Sequence, residues 1–200
     1  MPTIHTVLLD LDGVIRHFDP ARQQATEQRH GLAAGEILAV AFADALIGRL
    51  VTGAITRAQW VAAVGRAVGN PAAAEEFFSD RGTVDPAMLD LVDDLRRRGL
   101  LVAVLTNGTD TIAAELVELG IDDRFDAVFS TADIGWAKPD RRAFAHVCSA
   151  LAIEPAGVFF TDDSPGKLGG AVELGMTARP FVGVDDCRRT LAALGVAVGR

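Results

Sequence analysis

Two aspartates, Asp10 and Asp12, stand one residue apart at the end of an apolar run, in the stretch LLDLDGVI (8–15). Carboxylates this close repel, and the pKa of one of them should rise. Either a bound cation or a role that needs one carboxyl protonated would offset that repulsion. Other apolar runs also end on polar residues. VAVLTNG delivers Thr106, Asn107 and Gly108, and VFFTDD delivers Asp162 and Asp163. GWAKPD, after the run FDAVFS, brings in Lys138. Of 19 basic residues only Lys138 and Lys167 are lysine. A lysine kept before a proline, in a chain that otherwise uses arginine, points to a need for a compact ammonium charge.

These clusters need a scaffold that brings them to one place. Short apolar runs at 5–10, 100–106, 125–130, 157–162 and 177–182 read as buried strands. From residue 84 onward they alternate with helical patterns. DPAMLDLVDDLRRRG has Asp85 as N-cap and Pro86 at the first helical position, and it closes on arginines and Gly99. DTIAAELVELG (110–120) and DRRAFAHVCSAL (140–151) follow the same period. This alternation predicts a Rossmann-like α/β fold, a parallel sheet with helices on both faces. In such a sheet ligands bind beyond the carboxyl ends of the strands, the edge on which all four clusters would lie. Residues 16–83 read as helical without strand character, an all-helical insert after the first strand. The expected division is a core of 1–15 and 84–200 with a cap of 16–83. Trp60, Phe42 and Leu46 are expected to pack inside the cap.

Composition narrows the function. Half of the residues are hydrophobic and 23% are charged, as in an ordered globular chain. A net charge of −8 argues against a nucleic-acid or anionic-membrane partner. Cys148 and Cys187 lie far apart in no metal-like spacing, Cys148 in an apolar stretch, and a reducing cytoplasm is the expected location. No signal peptide and no bilayer-length apolar segment is expected.

With these motifs in order, the sequence resembles the haloacid dehalogenase-like hydrolase superfamily. DLDGV is similar to its first motif, LTNG to its second, AKPD to its third and FFTDDS to its fourth. The stretch GWAKPDRRAF…IEPAGVFFTDDS resembles the sugar-phosphatase and epoxide-hydrolase-N-domain branch. The resemblance implies a magnesium-dependent phosphomonoester hydrolase, with Asp10 as nucleophile and Asp12 as general acid and base. On this reading repulsion from Asp10 keeps a proton on Asp12. Thr106, Asn107 and Lys138 would cradle the phosphoryl group. Mg²⁺ would sit between Asp10, the Asp12 carbonyl and Asp163, with Asp162 acting through water. Arg16 and His17, where the chain leaves the first strand, are candidate substrate contacts. The expected substrate is a small phosphorylated metabolite, sugar phosphates first, and the expected state is a monomer or homodimer. Alternatives on the same fold are a phosphomutase, a haloacid dehalogenase or a non-catalytic binding module. Dehalogenase relatives replace the second aspartate, so Asp12 and the Asp162–Asp163 pair count against that alternative. Lys167 stands where many relatives carry asparagine, and Gly166, Gly169 and Gly170 weaken the helix start around it.

Overall fold

The computed structural model describes residues 3–199. The first half of the chain contains β1 (Thr6–Leu9), β2 (Arg16–His17), α1 (Pro20–Arg29), α2 (Glu36–Ala41), α3 (Asp44–Val51), α4 (Arg57–Ala67), α5 (Pro71–Phe77), β3 (Thr83–Val84) and α6 (Pro86–Arg97). The second half contains β4 (Leu101–Thr106), α7 (Ile112–Leu119), β5 (Ala127–Ser130), α8 (Thr131–Ile134), α9 (Arg141–Leu151), β6 (Val158–Asp162), α10 (Gly169–Glu173), β7 (Thr177–Pro180) and α11 (Val184–Ala193).

Five strands form one parallel sheet in the order β5-β4-β1-β6-β7, so β1 is central. The inner strands β1, β4 and β6 are short and largely apolar because both of their faces are covered. Alternate side chains go to opposite layers. Val7, Leu9, Val104 and Phe159 pack with Met88, Leu91 and Leu95 of α6, Leu116 of α7 and Leu191 of α11. Leu8, Leu105 and Phe160 pack with Phe144 and Val147 of α9 and Ala171 of α10. Leu9 lies beside Val104 on one side and Thr161 on the other. The next residues along these strands are Asp10, Leu105 and Asp162, and Thr106 follows one position later at the end of β4. The Asp85 carboxylate caps α6, accepting from the Ala87 and Met88 amides at 2.8 and 3.3 Å.

Helices α1–α5 have a separate apolar cluster that includes Ile37, Trp60, Val64 and Phe77. Here the structure departs from the sequence reading in two ways. First, the stretch between the sheet and these helices does contain strand. Arg16–His17 pairs antiparallel with Thr83–Val84, and the Asp85 amide donates to the Ile15 carbonyl at 2.8 Å. The chain thus leaves and re-enters the core side by side, on a ribbon too short for any periodicity to reveal. Second, Phe42 is not a packing residue: the helical stretch breaks between α2 and α3, which leaves its ring 59% exposed. Trp60 is buried, with its indole N–H donated to the Ala41 carbonyl at 3.1 Å, and Leu46 packs at the margin of the cluster.

Candidate active site

Asp10 follows the last residue of the central strand, and its amide still donates to the Thr161 carbonyl of β6 at 3.0 Å. The backbone therefore fixes the position of this carboxylate, which is only 8% exposed. Its Oδ1 accepts from the Leu11 amide at 2.8 Å and lies 2.8 Å from Lys138 Nζ. Lys138, 2% exposed, also reaches Asp162 Oδ2 at 2.6 Å. One ammonium thus joins two buried carboxylates. Asp162 is fully buried, and its other oxygen accepts from the Ser164 amide at 2.9 Å. Burial, aided by the nearby Asp162 charge, outweighs Lys138 and pushes the Asp10 carboxyl up to about 7.

Asp163 is exposed, held by a hydrogen bond from the Ser164 hydroxyl at 3.1 Å. Its carboxylate rests against Gly13, where a Cβ would come within 2.1 Å of Asp163 Oδ2. Gly13 also has a φ of +86°, so the glycine of the first motif allows both the turn and the close approach. Gly170 acts similarly. A Cβ there would meet the Pro139 carbonyl oxygen at 2.2 Å, so the residue that weakens α10 lets it pack against the lysine loop. Lys167 Nζ lies 3.5 Å from the Lys138 carbonyl in the same region.

Asn107 positions the lysine. Its Oδ1 accepts from the Lys138 amide at 2.8 Å, and its Nδ2 donates to the Lys138 carbonyl at 3.0 Å. This use of the amide was not legible beforehand, because it links residues 31 positions apart. Thr106 ends β4 and is buried beside it.

Asp12 is oriented differently from the sequence expectation. Its carboxylate faces Arg16, with Nε at 2.6 Å from Oδ1 and Nη2 at 3.1 Å from Oδ2. Burial raises the Asp10 carboxyl, and repulsion from Asp12 is not among the causes. Arg16 is buried, and its Nη1 donates to Glu115 Oε2 of α7 at 2.7 Å. Glu115 also accepts from the Thr111 hydroxyl at 2.7 Å and lies 3.3 Å from Arg57 of α4. A charge network therefore runs from Asp12 through Arg16 and Glu115 to the helical insert. Nothing in the sequence marks Glu115, which is 99 residues from Arg16. His17 does not fit the expectation of a substrate contact. Adjacent residues of a strand face opposite ways, so with Arg16 turned inward His17 points out and is exposed.

Between the sheet edge and the helices lies a cavity of about 190 Å³, lined by Asp12, Asn107 and Gly108 on one side and by Phe42, Trp60 and Phe78 on the other. The sequence profile of the haloacid dehalogenase-like hydrolases matches residues 4–175. The chain belongs to this family. Among curated relatives, a phosphatase of Mycobacterium tuberculosis is 36% identical over 110 residues, covering 52% of this chain and 51% of that protein. An (S)-2-haloacid dehalogenase of Burkholderia cepacia is 32% identical over 91 residues, covering 45% and 39%. The chain thus spans about half the length, or less, of the curated relatives it matches. A haloacid dehalogenase family enzyme from Bacteroides thetaiotaomicron, solved with magnesium and inorganic phosphate, superposes with a TM-score of 0.74 at 23% identity, covering 88% of this chain and 93% of that one. At that identity the likeness concerns the fold. Among the described residues, no helix of this haloacid dehalogenase-like hydrolase is long and apolar enough to cross a membrane.

Proposed function

We propose that this haloacid dehalogenase-like hydrolase cleaves small phosphomonoesters through a phospho-aspartyl intermediate on Asp10. The observation that carries the reading is the packing of Asp10, Lys138, Asp162 and Asp163 at the carboxyl edge of the sheet. Ligand atoms of Asp10, Asp162 and Asp163 lie within 4.8 Å of one another. Hard carboxylate oxygens so arranged suit Mg²⁺, which prefers oxygen ligands and one or two carboxylates. Asp10, the Asp12 carbonyl and Asp163 would hold the ion, and Asp162, both of whose oxygens already have partners, would act through water. When bound, magnesium would neutralise charge on the phosphoryl oxygens.

Asp10 Oδ2 has no hydrogen-bond partner among the described residues and is the oxygen free to attack. The Asp10 O–P bond forms while the ester O–P bond breaks, and Asp12 gives its proton to the leaving alkoxide. Water then attacks phosphorus, Asp12 takes its proton, and inorganic phosphate leaves with Asp10 restored. To act as acid, Asp12 must turn from Arg16 toward the ester oxygen. Lys138 stabilises charge in both steps. The phosphatase among the relatives and the magnesium–phosphate complex of the Bacteroides enzyme support this reading. A haloacid dehalogenase needs no acid for its leaving group, so Asp12 favours the ester reaction.

The helical insert covers the edge, so substrates should be small. The test is release of phosphate from p-nitrophenyl phosphate and a phosphopeptide, with magnesium and with a chelator. Magnesium-dependent turnover of the small ester is expected. Turnover that persists in chelator, or a tenfold preference for the phosphopeptide, would overturn the reading.

A further inference from the structure

We infer that the alcohol part of the substrate is compact and apolar, an aliphatic or aromatic alkyl group and not a sugar. This rests on the proposed phosphomonoesterase reading and adds the identity of the leaving group. The cavity beside Asp12 is where the leaving oxygen's substituent must go, because Asp12 and Asn107 line it and both border the phosphate site. Its far wall is built by Leu38, Phe42, Ile47, Trp60, Phe77 and Phe78. A volume of about 190 Å³ is below the ~300–1,000 Å³ of pockets for larger ligands.

Most polar groups that reach this cavity are already matched; among the described residues, Asp80 accepts from the Gly82 amide at 2.9 Å through one oxygen only. Both Asp12 oxygens take Arg16 nitrogens, and the remaining Arg16 nitrogen donates to Glu115. Arg57 lies against Glu115 and donates to the Phe78 carbonyl. The Trp60 N–H goes to Ala41, and the Asn107 amide to Lys138. Thr109 bonds Thr111. Gln23 is the lining polar side chain with no side-chain hydrogen bond among the described residues. Sugar hydroxyls in this space would exchange water for aromatic rings, and a hydroxyl buried without a partner is costly. A carboxylate on the leaving group would meet a lining with three carboxylates, Asp12, Asp80 and Glu115, against two arginines, Arg16 and Arg57. An apolar group has neither problem, and it gains by leaving water. The expected preference for sugar phosphates thus gives way to alkyl and aralkyl phosphates. Phe42, which sequence alone assigns to packing, is the exposed ring at this wall.

The test compares kcat/KM for 2-phenylethyl phosphate and glucose 6-phosphate, both primary alkyl esters, in the presence of magnesium, for the wild type and for Phe42→Ser. The phenylethyl ester should be preferred at least tenfold. Phe42→Ser should raise KM for that ester several-fold more than for the sugar ester, with kcat little changed. Equal or better turnover of glucose 6-phosphate, or an equal KM change for both esters, would overturn the inference while leaving the phosphatase reading intact. If neither ester, nor p-nitrophenyl phosphate, releases phosphate, both readings fall.

Discussion

The sheet edge and the cavity wall meet within a few residues of each other, yet they are built on opposite terms. At the edge, three charged groups, Asp10, Lys138 and Asp162, are buried beside the exposed Asp163, and the arrangement depends on single atoms: one Nζ serves two carboxylates at 2.8 and 2.6 Å. Backbone amides of Leu11 and Ser164 fix the Asp10 and Asp162 carboxylates, and these in turn hold Lys138. At the wall, six side chains from the insert present apolar surface, and of these only Trp60 makes a directional bond, its indole N–H to the Ala41 carbonyl. Loss of one partner in a buried charged cluster leaves the others uncompensated, which costs several kcal/mol. Exchange of one apolar side chain for another of similar size costs much less. Chemistry is therefore fixed at the edge, while the wall is the part that can drift toward new leaving groups.

The sharpest way to break this contrast is at Asp10, the proposed nucleophile. Asp10→Asn keeps the shape and should lower kcat by ~10⁴-fold, as loss of a nucleophile does. Its circular dichroism should match the wild type. A variant that keeps half of its activity would rule out the covalent route. Next is Asp12→Ala, with a loss of ~10²–10⁴-fold, the usual range for general acid–base catalysis. The loss should be larger for an alkyl phosphate than for p-nitrophenyl phosphate, because nitrophenolate leaves without a proton. The same loss on both would mean that Asp12 acts elsewhere. Lys138→Arg should cost ~10²-fold, comparable to loss of one preorganised donor. The broader planar guanidinium does not fit between Asp10 and Asp162, with the Phe160 ring 5.5 Å from Nζ. Near-normal kcat/KM there would show that the edge tolerates substitution as the wall does.

The two regions also differed in how far sequence could read them. The edge was legible because parallel strands turn apolar runs into aligned rods, and whatever follows each run lands on one side. Asp10, Lys138, Asp162 and Asp163 accordingly come together. Side-chain orientation was less legible. The pattern D-x-D suggested mutual repulsion, but Arg16, one turn further on, draws the Asp12 carboxylate to itself. The wall was hidden almost entirely. Phe42 looked like core in an unbroken helical stretch, and no local signal marks the break that exposes it. Contacts such as Arg16 to Glu115 have no sequence signature, because they depend on how the insert sits over α7.

The smallest expected effect probes the join between edge and wall. Burial alone would raise the Glu115 pKa, but hydrogen bonds from Arg16 and Thr111 and the charges of Arg16 and Arg57 outweigh it, leaving it below the ordinary glutamate value. A carboxylate depressed on folding contributes stability that is fully present above its unfolded pKa, ~4.3 for glutamate, and is lost as pH falls through the folded value. Glu115→Gln keeps the shape but removes the charge, so Arg16 and Arg57 lose a counterion. The variant should therefore melt below the wild type at pH 7, by a few degrees. That gap should hold down to about pH 5 and close below ~4.3, where the wild-type carboxylate begins to protonate. Thermal midpoints of both proteins between pH 7 and pH 3 give the comparison directly. A gap that stays constant to pH 3, or widens, would mean that the Glu115 charge does not tie the insert to the sheet edge.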